Sequence, residues 1–241
     1  MTDLFPIVVT ALAALVQGCL GFGAGLLSMA ILSLVWEVRD ATVIMAPVGW
    51  LMVASLVVKL RKDTTPRALI PIFTAIPIGV FGGIYALDVL PGVLLKSLLG
   101  LTLLAFVGHS LRKTTSGPHR DSQRFATAAG ALSGFTGAAL SAAGPPVLIY
   151  ATVAGWEKDR FRANLQAIFF VVSTISVIGL AAGDFFSESS ILLSFKLIPG
   201  VLVGAMIGTK LSAKIPQEVF RKIVFSALAT MGLYFSLMPL W

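Results

Sequence analysis

Acids, cysteine and histidine are scarce in this chain of 241 residues, which holds eleven Asp and Glu, one cysteine and two histidines. A single cysteine, Cys19, excludes an intramolecular disulfide and any cysteine-rich metal site. His109, His119 and so few acids leave no cluster for metal or acid–base chemistry, so no metal, no cofactor and no enzymatic activity are expected. Charged residues reach only 12%, about half the ~25% usual in soluble domains. The opening Met1-Thr2-Asp3 lacks the basic n-region of a signal peptide and reads as mature sequence.

Apolar residues fill the space: 57% of the chain is hydrophobic and its mean hydropathy is +0.94. The apolar runs are long rather than alternating, which argues against a membrane barrel and for an all-α, polytopic membrane protein. Leu4–Trp36 is one long stretch interrupted by glycines, followed by clean spans at Ala41–Val58, Leu69–Leu87 and Val93–Leu111. A polar linker divides the chain, after which Phe125–Trp156 is again long and broken, followed by Phe161–Ala182, Ile191–Leu211 and Val219–Leu240. Residues 1–111 and 125–241 thus read as two repeats joined by the linker 112–124. Each repeat is a broken or re-entrant hairpin plus three transmembrane helices. Gln17-Gly18-Cys19-Leu20-Gly21 resembles Ser133-Gly134-Phe135-Thr136-Gly137. Ile76-Pro77 with Gly79 and Gly83 resembles Ile198-Pro199 with Gly200, Gly204 and Gly208, and Leu90-Pro91 resembles Ile215-Pro216.

Charge chooses the topology. If each broken stretch crossed once, the eighteen basic residues would divide nine against nine. If each returns to its own side, fifteen share one face and only Arg39, Lys96 and Lys196 remain for the other. The positive-inside rule favours the second division. It places the linker in the cytoplasm and both termini outside, and the basic excess gives no reason to invoke nucleic acid. The arms Leu4–Gln17 and Phe22–Trp36, 14 and 15 residues, reach only about 21–23 Å as helices, short of a ~30 Å hydrocarbon core. Three crossings per half make the repeats inverted, and their tips should meet near the midplane, as in secondary transporters. Trp36, Trp156 and Trp241 fall at expected membrane ends, and Trp50 does not.

The first tip, Gly18–Gly25, holds four glycines, and the second runs from Gly137 to Pro146. Glycine admits unusual dihedrals and close approach to main-chain N–H groups, and Pro145-Pro146 suits a helix beginning at depth. Helix starts aimed at the tips favour an anion; close helix packing through small residues is the competing reading. For Gly79, Gly83, Gly200, Gly204 and Gly208 the four-residue spacing fits packing better. Gln17 enters the first tip, where it can donate to a ligand or equally bond a neighbouring helix. Arg162, Gln166, Ser173 and Ser176 share one helix face and suit an anion path, though Arg162 also has the length to snorkel. Asn164 points elsewhere. No carboxylate lies within a span, so a fixed proton relay is not expected.

At these hairpins the sequence resembles the TauE/SafE family, also called the toluenesulfonate uptake permease family. Gly21-Phe22-Gly23-Ala24-Gly25, Ala143-Gly144-Pro145-Pro146 leading to Tyr150, and Asp159–Phe169 carry the likeness, with departures at Ala24, Ala143 and Ser28-Met29-Ala30. The resemblance implies transport of sulfite, thiosulfate or an organosulfonate across the inner membrane. Together with the residue reading, it gives the binding residues as Gln17, Gly21, Gly23, Gly25, Ser141, Gly144, Pro145, Arg162, Asn164 and Gln166. Alternating access is the expected mechanism, with proton co-transport and a homodimer left open. A carrier for another small anion, such as a carboxylate, an anion channel, and a non-transporting scaffold are the rival readings.

Overall fold

The structure, a computed structural model, describes residues 4–111, 122–211 and 217–237. Residues 112–121 of the linker, with His119, both chain ends and Trp241 lie outside the described residues. Those described form ten α-helices and one short 3-10 turn, with no strand among them. The first five are α1 (Leu4–Leu20), α2 (Ala24–Leu32), α3 (Val38–Leu60), α4 (Pro66–Val89) and α5 (Gly92–Leu111). The second five are α6 (Gln123–Leu140), α7 (Gly144–Val153), α8 (Lys158–Ala182), α9 (Glu188–Leu211) and α10 (Gln217–Leu237). Stretches of α3, α4, α5, α8 and α9 are long and apolar enough to cross a membrane. Their outward faces carry bare large side chains such as Ile78, Phe81, Phe195 and Met206, a surface that suits lipid rather than water.

The helix breaks fall later than the glycine pattern suggests. Helix α1 continues through Gly18 to Leu20, and the chain turns at Gly21 and Gly23, whose φ angles of 85° and 106° are left-handed. Glycine adopts these without a Cβ clash. The second break is at Ser141, also left-handed at φ 49°, while Gly137–Leu140 remains helical. Measured from the breaks, Gly21 aligns with Ser141, one turn later than with Gly137, and the same offset sets Trp36 and Glu37 against Trp156 and Glu157. The arms are also unequal. Outgoing arms of 17 and 18 residues span about 26–27 Å, and returning arms of 9 and 10 about 14–15 Å.

Two contacts show that the second break is a hairpin. Ser133 Oγ donates to the Ala143 carbonyl at 2.6 Å, and the Phe125 and Tyr150 rings meet at 5.5 Å. The eight steps from Ser133 back to Phe125 and the seven from Ala143 on to Tyr150 cover roughly equal rises of 12 and 11 Å. Both contacts hold only if α7 runs antiparallel to α6. At the first break α2 packs back on α1, and Gln17 Oε1 accepts the Ala24 N–H at 3.1 Å.

Polar contacts sort the charges between the two ends of the bundle. Arg39 donates to Asp88 at 2.8 Å and lies over the Phe185 ring at 4.9 Å, Lys96 sits 3.8 Å from Glu37, and Ser194 donates to the Ile44 carbonyl at 2.8 Å. These gather Arg39, Lys96 and the beginning of α9 at one end. At the other end Asn164 Oδ1 accepts the Thr65 N–H at 2.9 Å, which brings Arg61, Lys62 and Arg67 beside Arg160 and Arg162. A single crossing per broken stretch would put Arg160 and Arg162 with Arg39, and the geometry does not.

Glycines bring α1 onto α9 and α4 onto α6. Gly200, Gly204 and Gly208 face Ile7, Ala11 and Leu15 in turn, so α1 runs parallel to α9. Gly79 and Gly83 face Ala131 and Phe135, so α4 runs parallel to α6. The two hairpins therefore open toward opposite ends of the bundle. A Cβ at Gly204 would overlap the Ala11 carbonyl, and one at Gly79 the Ala131 carbonyl, whereas Gly108 meets nothing within 4 Å. Gly204→Ala and Gly79→Ala are each expected to lower stability by about 1–3 kcal/mol despite alanine's better helix propensity, and Gly108→Ala to lower it by none. Thermal unfolding in detergent checks this, and equal melting points for all three variants would contradict the packing role.

Candidate functional site

The two tips meet inside the bundle. Gly25 lies so close to the Ser141 carbonyl that any side chain at position 25 would collide with it. A cavity of about 110 Å³ opens beside this contact, walled by both tips and by α1, α3 and α8. That is room for several waters or one small oxyanion. Its apolar wall includes Met45, Met52, Phe169 and Val172, and its polar groups come from Thr10, Gln17, Ser28, Thr42, Ser141, Ser173 and Ser176.

Three of these polar groups are buried and have no partner. Gln17 is 5% exposed, Ser28 0% and Ser176 4%, and Gln17 Nε2, Ser28 Oγ and Ser176 Oγ make no hydrogen bond. The orientation of the Gln17 amide follows from its bond to Ala24, an N–H that only the amide oxygen can accept. That bond leaves Nε2 as a free donor. Native interiors pair nearly all such groups, since each orphan costs about 1–3 kcal/mol. Three of them belong to one cavity wall, while Ser33 Oγ, Gln166 Oε1 and Ser236 Oγ, also buried and without a partner, lie off it.

Backbone donors are distributed unevenly between the tips. In the first turn of α2, Ala24 donates to Gln17 and Leu27 to the Gly23 carbonyl, which leaves the N–H groups of Gly25 and Leu26. In α7 the residues after Gly144 are Pro145 and Pro146, which have no N–H. The second returning arm therefore offers fewer donors than the sequence suggests, and Gly144 carries the one at its start.

Of the sequence candidates, Gln17, Gly23, Gly25, Ser141 and Gly144 line the cavity, and Gly21, Pro145, Arg162, Asn164 and Gln166 do not. The second group holds the surrounding helices and the first tip in place. Gln166 Nε2 donates to the Gly21 carbonyl at 2.7 Å, and Arg162 lies against Gly21, where an added Cβ would meet its Nε at 3.3 Å. Asn164 ties α8 to Thr65, and Pro145 is buried at the start of α7. The polar face of α8 is thus divided: Arg162 and Gln166 brace the first tip from outside the cavity, and Ser173 and Ser176 line it. Thr42 does for the second tip what Gln166 does for the first, donating to the Ala139 carbonyl at 3.3 Å. Sequence reasoning missed Thr10, Thr42 and Ser28. Ser28, three residues after Gly25, carried a signal in its helical spacing from the tip.

Long apolar spans, and two helix breaks that meet beside a largely apolar cavity carrying a few polar groups, are an architecture that membrane transporters use. The chain matches the family model described as sulfite exporter TauE/SafE over residues 6–235, nearly its whole length, and it belongs to that family. The family is one of multi-pass membrane transporters for sulfur anions such as sulfite, and not of enzymes. No curated protein and no solved structure matches the chain.

Proposed function

We propose that this chain is a secondary transporter that holds a small sulfur-containing anion, such as sulfite, thiosulfate or an organosulfonate, in the cavity between the two hairpin tips. The observation that carries the reading is that three residues of this one wall, Gln17, Ser28 and Ser176, each hold a buried polar atom, Nε2 or Oγ, with no partner. An anion with several acceptor oxygens satisfies all three at once, assisted by the starts of α2 and α7. Alternating access follows if residues 1–111 and 125–241 act as inverted repeats that rock against each other; hairpins opening toward opposite ends support this. The end bearing Arg61, Arg67, Arg160 and Arg162, and with it the linker 112–124, would face the cytoplasm across the inner membrane.

Thermal unfolding of the purified protein against sulfite, thiosulfate, methanesulfonate and acetate tests the reading. An anion at a hundred times its Kd adds about 2.7 kcal/mol. A sulfur anion is expected to raise the melting point of the native chain and to leave Gln17→Leu unmoved. A larger shift with acetate would indicate a carboxylate carrier instead. The same shift in Gln17→Leu would mean that the anion binds elsewhere.

A further inference from the structure

We propose that the cavity is matched to one negative charge, so that it takes monoanions, hydrogensulfite or an alkyl sulfonate, and refuses the dianions sulfite, sulfate and thiosulfate. This rests on the reading that the cavity holds the transported anion, and it narrows that reading to a charge state.

Among the described residues, no charged side chain lines the cavity. Arg162 is on α8, but it lies against Gly21 and is not part of the wall. At the wall itself the positive potential therefore comes from the helix starts. Helices α2 and α7, of nine and ten residues, begin at Ala24 and Gly144, both on the wall. Each helix start is worth at most about half a positive charge, and the pair together about one. Pro145 and Pro146 remove donors from α7 without removing the peptide dipoles behind them. The hydrogen bonds then fall mainly to Gln17 Nε2, Ser28 Oγ and Ser176 Oγ, all more than nine-tenths buried and all neutral.

One negative charge is balanced by this arrangement, and a second is not. The excess charge of a dianion would face Met45, Val48, Met52, Phe169 and Val172 with no counter-ion, a burial that proteins avoid. Each sulfur moved as hydrogensulfite also carries a proton with it. Proton movement then requires no carboxylate within a span.

Unfolding temperature is followed while the purified protein is titrated with methanesulfonate, sulfate and sulfite at about pH 6 and about pH 9. Methanesulfonate keeps one charge and sulfate two at both values, whereas sulfite passes from mostly singly to doubly charged. Methanesulfonate is expected to bind equally at both, and sulfate at least about a hundredfold more weakly. The apparent Kd for sulfite should rise about tenfold per pH unit once pH exceeds the pKa of hydrogensulfite, the slope of one required proton. A sulfite affinity that stays flat, or sulfate as tight as methanesulfonate, overturns the charge match and leaves the transport site standing. No shift with any of the three at either pH overturns the site itself.

Discussion

Gly25→Ala is expected to reduce anion flux into proteoliposomes by on the order of a hundredfold while the protein still folds. A Cβ at position 25 overlaps the Ser141 carbonyl, so the tips must separate to make room. Positioning errors of about 1 Å at a site cost roughly a hundredfold in function. The fold has reason to survive, since alanine at a helix start is the better helix former and the packing of α1 on α9 and α4 on α6 lies elsewhere. Gly144 provides the contrast. A Cβ there would meet Leu148 at 3.4 Å, Phe169 at 3.8 Å and Leu26 at 4.0 Å, all ordinary contact distances. Gly144→Ala should therefore transport nearly as the native chain does. Gly144→Leu, whose larger side chain would occupy the cavity, should not. Native flux in Gly25→Ala, with its melting point unchanged, would show that the meeting of the tips is incidental to transport.

The same glycines explain what is and is not legible in the sequence. Spans and hairpins follow from composition and length, because a bilayer constrains both. The site of each break does not follow, because glycine has two uses here that look alike on paper. Gly18 remains helical and lets α1 approach Ala205 and Thr209 of α9, whereas Gly21 and Gly23 turn the chain. Gly137 is helical too, packed against Val172 and Ala143. The turn that the glycine pattern assigns to it is made by Ser141, a non-glycine residue in a conformation costing of order 1 kcal/mol or more. Helical spacing puts Arg162 and Gln166 forward on one face, the family resemblance adds Asn164 beside them, and that spacing is real. It does not reveal that Gly21 and Thr65 fold across to meet these side chains, taking up the hydrogen bonds of Gln166 and Asn164.

Hydroxyl groups are the least legible of all, and they carry the second large prediction. Ser55, Ser97, Thr102 and Thr152 each donate to a carbonyl three or four residues earlier, the usual way in which a helix disposes of a hydroxyl. Ser28 and Ser176 do not, although both are buried, and nothing in the one-dimensional sequence separates them from the others. Without ligand each is a desolvated, unpaired group, so Ser28→Ala and Ser176→Ala should each raise the melting point of the unliganded protein, by up to about 1–3 kcal/mol in stability. Each should also remove a charge-assisted hydrogen bond worth about 1.5–3 kcal/mol, weakening anion binding by roughly ten- to a hundredfold. Opposite signs in stability and affinity are the mark of a residue held in place for its ligand. Thr102→Ala, which removes a self-satisfied hydroxyl, should leave anion affinity unchanged. Denaturation curves with and without anion measure both quantities on the same samples. If Ser28→Ala and Ser176→Ala bind anion as tightly as the native chain, the two hydroxyls serve ordered water, and the anion must be held by the remaining donors around Gln17 and Gly25.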